Sequence, residues 1–147
     1  MGGIVADFVN ILKLCVGAES VEDLEAWQVS QAPRWPRGRA VHVTRMWPKR
    51  APEVLAGGSL YWVIKGQVLA RQVILGLEKV EGGDGVERCA LLLHPEVIRT
   101  QAAPRRPFQG WRYLAPEDSP RDLPKGRAAD DALPEELARA LAEIGLR

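Results

Sequence analysis

The sequence predicts an α+β fold: a small, bent, mainly antiparallel sheet or partly open pseudo-barrel, with helices packed against it. Three observations lead there. Strand-like apolar runs recur between Gly and Pro turn signals from Phe8 to Leu114. Helical spacing appears only after Ser20, in a possible single turn at Pro52–Ala56, and after Pro134. The runs that follow Gly58 are joined by short turns, which makes a meander.

Phe8 to Val16 is apolar and partly β-branched, hence a buried strand, and Gly17 ends it. Ser20 begins a helix, with Asp23 three residues on as a weaker capping box. Val21, Leu24 and Gln28 share one face of that helix, which is expected to end near Gln31. Pro33 and Pro36 enclose a basic loop with Arg34, Trp35, Arg37 and Arg39. Ala40 to Trp47 alternates, with His42, Thr44 and Met46 on one side, and should stop before Pro48.

Ser59 to Lys65 is the most strand-like stretch, and Gly66 and Gln67 are expected to make the tight turn after it. Val68 to Val80 is a long strand with a bulge or bend at Gly76. Gly82 to Gly85 turns the chain, and Val86 to Leu93 returns as a central strand. Pro95 to Pro107 reads as irregular and basic, and Phe108 to Leu114 as a last short strand. At 147 residues this is one domain, residues 1–147, with a core over about 8–114. An arm over 115–132 and a closing helix over about 133–145 complete it.

The formal net charge is +1, so no overall field points to nucleic acid or membrane. No apolar run reaches the roughly 18 residues that span a bilayer. The first residues lack a basic n-region and a cleavage site. Cys15 and Cys89 sit in apolar runs and are expected to be buried, reduced thiols, so the expected location is the cytoplasm. Neither cysteine has a histidine at an interpretable spacing, and no serine lies in a G-x-S-x-G frame. His42, His94 and the cysteines are too far apart in sequence to supply two metal ligands from one element. No catalytic residue, metal or cofactor is assigned.

Charge is unevenly placed. From Arg34 to Arg50 there are six basic residues and no acid, and from Val97 to Leu114 there are four and none. Trp35, Trp47, Trp62, Phe108, Trp111 and Tyr113 are interleaved with them. Guanidinium forks bind phosphate bidentately, and aromatic faces stack on bases at about 1–3 kcal/mol each. Core packing is the other use of such rings, and Trp62 in its apolar strand is expected to serve it. Arg71 shares a face with Leu69 and Val73 and needs a partner, Glu53, Glu78 or a ligand.

Leu12–Gly17, His42–Arg50, Gly58–Gly66 and Arg105–Leu114 resemble segments of a bacterial family known only as a domain of unknown function. The resemblance spans about residues 10–124 and implies no activity. In element order and hydrophobic spacing, Gly58–Gly66 running into Leu69–Gly76 is similar to the pseudo-barrel core of PUA-like domains (EVE, ASCH and YTH). That likeness implies binding of RNA or a modified nucleotide.

On this reading Arg45, Lys49, Arg50, Arg105, Arg106 and Arg112 hold phosphates. Trp47 and Trp111 are stacking walls, and Lys65 or Gln109 contacts a base edge. The alternative is a protein-interaction module in which the same surface and the arm dock a protein partner. A small-molecule hydrolase or transferase is the third and least supported reading.

Overall fold

The structure, a computed structural model, describes residues 8–35, 38–106 and 108–124. The elements run β1 (Asn10–Leu14), α1 (Val21–Gln31), β2 (Ala40–Thr44), α2 (Ala51–Leu55) and β3 (Ser59–Ile64). They continue with β4 (Gln67–Glu81), β5 (Glu87–Leu93), β6 (Ile98–Pro104) and β7 (Trp111–Leu114). Short 3-10 turns lie at Ala32–Arg34 and Pro116–Asp118.

The strands form one sheet in the order β2-β5-β4-β3-β1-β7, with β6 also paired to β4. Pairing is antiparallel except between β1 and β3. β4 serves twice. Its first half pairs with β3 and β6, its second half with β5, and a bulge between Ile74 and Gly76 marks the change. A bulge sharpens local twist and bends the strand.

The sheet therefore turns one face on itself. Ile11, Leu60, Trp62 and Trp111 from one end share a core cluster with Ala40, Cys89, Leu91 and Leu93 from the other. The two strands at the ends of the order, β2 and β7, do not pair with each other. The sheet is open, and the gap between them is a seam.

α1 packs on this inner face. The Ser20 Oγ accepts from the Asp23 N–H at 3.1 Å, and the Asp23 carboxylate accepts from the Glu19 N–H at 3.0 Å. The first bond satisfies a donor that the first helical turn leaves free, and the second ties the residue before the cap to the helix. Val21, Leu24 and Gln28 are its buried residues, the spacing the sequence shows.

Gln28 is held by an amide pair. Its Nε2 donates to Gln72 Oε1 at 2.8 Å, and Gln72 Nε2 donates back to Gln28 Oε1 at 2.9 Å. The Trp62 indole N–H also donates to Gln72 Oε1, and Gln72 Nε2 donates to the His94 carbonyl. Trp62 is thus a core residue, as its apolar strand suggests.

Gly58 has no room for a side chain: a Cβ there would lie 2.2 Å from the Val9 carbonyl oxygen and 2.7 Å from that of Val54. This close approach lets α2 and the segment before β1 lock together.

Several expectations are corrected. Pro95–Pro107 is not mainly irregular, because β6 occupies Ile98–Pro104 and pairs with the first half of β4. β2 ends at Thr44 rather than Trp47, since Thr44 Oγ1 turns to donate to the Met46 carbonyl. The β3–β4 turn falls on Lys65 and Gly66, one residue early, with φ of 52° and 79°. Two positive-φ residues match the twist of a two-residue hairpin.

The first part of the expected arm is a strap over β6. Gln101 N–H donates to the Arg121 carbonyl, Leu123 N–H donates to the Arg99 carbonyl, and Asp122 bridges Thr100. Residues 125–132 of that arm and the expected closing helix lie outside the described residues.

Candidate binding surface at the open seam

The two faces of the β1–β3–β7 end differ in chemistry because strand residues alternate. On the outer face lie Asn10, Leu12, Ser59, Tyr61, Arg71 and Leu114. Arg71 grips Asp122 of the strap with two bonds of 2.8 Å and donates a third to Ser59 Oγ. Its expected partners Glu53 and Glu78 are therefore replaced by Asp122.

Asn10 Oδ1 accepts from the Ser59 N–H, and its Nδ2 donates to Ser119 Oγ. The Arg71 guanidinium holds the Asp122 carboxyl below its usual range, and burial pushes the Tyr61 phenol up. A cleft of about 370 Å³ lies here, and Asn10, Ser59, Arg71, Ser119 and Asp122 in its lining are joined by hydrogen bonds.

On the inner face Lys13 stands between two indoles. In register it faces Trp62 of β3 on one side and Trp111 of β7 on the other. His42, from β2 across the seam, sets its ring edge-on to Trp62 at 5.0 Å between centroids. Burial first, and the charge of Lys13 second, lower the His42 imidazole to about 4. The ring is neutral at pH 7. Its Nε2 is buried and has no hydrogen-bond partner among the described residues. Lys13 has no carboxylate partner among them either.

The basic loop after β2 crosses the seam. The Trp111 indole N–H donates to the Met46 carbonyl at 3.2 Å. The Arg50 N–H donates to the Tyr113 hydroxyl at 3.0 Å, and its guanidinium lies 5.3 Å over the Tyr113 ring. The two basic stretches of the sequence therefore meet in space.

Their residues are not equivalent. Arg45, Trp47 and Lys49 are exposed, with Trp47 at 46%. Arg50 is exposed but bound to Glu53. Trp111 is only 7% exposed and packs in the core with its ring edge-on to Tyr113. Lys65 pairs with Glu19. Arg105 is half-buried and its Nε has no partner, whereas Arg106 and Gln109 are exposed. Arg112 donates to the Gln109 and Trp111 carbonyls and lies over Phe108.

A second cleft of about 670 Å³ opens between α1 and the start of β2, lined by Gln28, Val29, Trp35, Arg39 and Val97 among others. Trp35 meets Trp27 edge-on at 5.7 Å, and Trp27 and Val29 project to solvent. Arg37 lies outside the described residues.

The thiols of Cys15 and Cys89 are unpaired and pushed up to about 11 by burial, which disfavours the nucleophilic thiolate. Among the described residues, no three His, Cys, Asp or Glu side chains converge as a metal site. No helix among them is long and apolar enough to cross a membrane.

Sequence reasoning missed Lys13 and the clefts. A lysine inside an apolar strand was the available signal for the first. The clefts depend on partners far along the chain.

The fold and surface define a mixed α+β protein with an open, mainly antiparallel sheet and flanking helices. The chain belongs to the family described as "Protein of unknown function (DUF1489)", whose model matches residues 11–147. Comparisons with curated proteins and with solved structures return no match.

Proposed function

We propose that this protein is a nucleic-acid or modified-nucleotide binding module that uses the basic side of the seam and has no catalytic step of its own. One observation carries the reading: how the cations are distributed between partnered and unpartnered sites. Arg50, Arg71, Arg88 and Arg99 are each paired with carboxylates. Arg34, Arg39, Arg45 and Lys49 have no acid partner among the described residues. They flank one edge strand, β2, and phosphates would complete them.

Trp47 beside them offers an exposed ring for stacking. Arg106 and Gln109, on the loop that leads into β7, and Arg112 within β7 extend the surface. Three of the roles suggested by sequence change: Trp111 supports the wall from the core, while Arg50 and Lys65 hold the loops through Glu53 and Glu19. An open, bent sheet with aromatic groups on its inner face also fits the element order that resembles PUA-like domains.

The test is a titration of intrinsic Trp fluorescence with single-stranded RNA, structured RNA and duplex DNA at two salt concentrations. Binding that weakens steeply with salt is expected, and Arg45→Ala with Lys49→Ala should weaken it further. No response at protein concentrations well above micromolar overturns the reading.

The second reading, a protein-docking surface, draws on the exposed Trp27 and Val29 beside the α1 cleft. Capture of a protein that resists salt and is lost in Trp27→Ala would favour it.

A further inference from the structure

We infer that Lys13 and His42 form a recognition site for a small anionic group, a phosphate or a carboxylate, on the inner face of the seam. The site goes beyond the basic surface of Arg45 and Lys49, because it joins Lys13 of β1 to His42 of β2, residues outside that exposed loop.

Geometry supplies the case. Lys13 lies in register between Trp62 and Trp111, so its ammonium stem is flanked by indoles rather than by acids. Cationic groups placed among apolar side chains are ordinarily paired, because an uncompensated charge is costly there. Among the described residues, the acids seen in ion pairs with cations sit elsewhere, just before and on α1, at the β4–β5 hairpin, on α2 and on the strap.

Across the seam, His42 is fixed by its edge-on contact with Trp62, and its Nε2 is a buried polar atom with no partner. A buried polar atom left unsatisfied calls for an explanation, commonly a ligand or a bound water. Lys13 is the charge that bears on the His42 ring, and no acid does.

The two groups are complementary in what they lack. An ammonium needs an anion. A neutral imidazole in its Nε2–H form needs an acceptor. One oxyanion meets both needs: one oxygen takes a charge-assisted bond from Lys13 and another accepts from Nε2. The neighbouring indoles lower the local dielectric, which strengthens such bonds. The Met46 carbonyl, which anchors the Trp111 indole, connects this site to the exposed loop. A phosphate end carried along Arg45 and Lys49 would have a short path to it.

The experiment uses the full chain and follows the imidazole signals of His42 by NMR at fixed pH during titration with inorganic phosphate and, separately, acetate. His94, which is exposed, is the internal control. Saturable shifts at His42 that leave His94 unmoved are expected. Lys13→Met should weaken them roughly tenfold or more, the loss expected for a charge-assisted bond. If Lys13→Met does not fold, His42→Gln with Trp fluorescence as the readout replaces it, and the same loss is expected.

A further arm compares a short single-stranded RNA with and without a 5′-phosphate. Preference for the phosphorylated strand that disappears in Lys13→Met places the anion at a nucleic-acid end. Phosphate binding without RNA binding supports the site and overturns the proposed function. Unmoved His42 signals with both anions and with both RNAs overturn the site, leaving its polar atoms to water, whatever the basic loop binds.

Discussion

The two faces of one sheet end treat polar groups in opposite ways. On the outer face, Arg71, Asp122, Ser59, Asn10 and Ser119 form a network whose members bond to one another under the strap. On the inner face at the seam, Lys13 and His42 Nε2 have no such partners among the described residues. Beneath α1 on that same inner face, Gln28 and Gln72 are again fully occupied. Polar atoms inside this protein are therefore satisfied where they brace the fold. Among the described residues His42 Nε2 is left open at the seam, where the sheet does not close, and Gln67 Oε1 and Arg105 Nε are left open beside the β3–β4 turn. That contrast separates bracing from recognition better than residue type does, since both faces use cations and aromatic rings.

The contrast predicts a graded set of responses. Gln72→Leu should cost the most, roughly 3 kcal/mol, because it orphans the Trp62 N–H and the Gln28 amide together. Urea denaturation measures it, and a loss below about 1 kcal/mol would mean the amide pair does not brace the core.

Acid should come next. His42 stays neutral in the fold down to about 4, against an ordinary value of 6.5. Between those pH values the unfolded chain takes up a proton that the folded chain refuses. Stability should therefore fall by roughly 2–3 kcal/mol as pH drops through the window. His42→Gln should flatten this slope. The carboxylates lowered by ion pairs, such as Asp122 and Glu53, lose their contribution only as pH falls further, toward and below 4.5.

Asp122→Asn should cost about 1 kcal/mol, since its pair with Arg71 is partly open to solvent. Trypsin should then cut after the exposed Arg121 faster than in the parent protein. An unchanged cleavage rate would show that the backbone bridge to β6 alone holds the strap.

The smallest stability change, within about 0.5 kcal/mol, belongs to Arg45→Ala and Lys49→Ala, which remove no internal bond. If they contact phosphates of a single strand, the salt slope of binding should fall by about 1.4 for the pair. A slope that stays the same would move recognition away from this loop.

Much of the bracing was legible in the sequence. Ser20 and Asp23 mark the start of α1 through contacts three residues apart, and the Val21, Leu24, Gln28 spacing marks its buried face. The alternation of Ala70, Gln72 and Ile74 and the break at Gly76 are local as well.

β6 was not legible, because Ile98–Pro104 lacks an apolar alternation and ends in proline. It is a strand because β4 and the strap supply its partners. Trp47 and Trp111 look alike in sequence, each beside basic residues, yet one projects to solvent and the other is core. Lys13 acquires its meaning only from register, which places it between tryptophans that lie 49 and 98 positions further along the chain (62 − 13 and 111 − 13).

β4 belongs to both halves of the sheet, and this shapes how the molecule comes apart. A chain whose longest strand is the wall of two neighbouring rooms cannot lose one room and keep the other. Melting the β5 side strips half of β4 of its partners, and melting the β3 side strips the rest. The sheet therefore has no subdomain that can serve as a resting point. Unfolding is therefore expected as a single concerted transition, with urea curves from Trp fluorescence and circular dichroism coinciding.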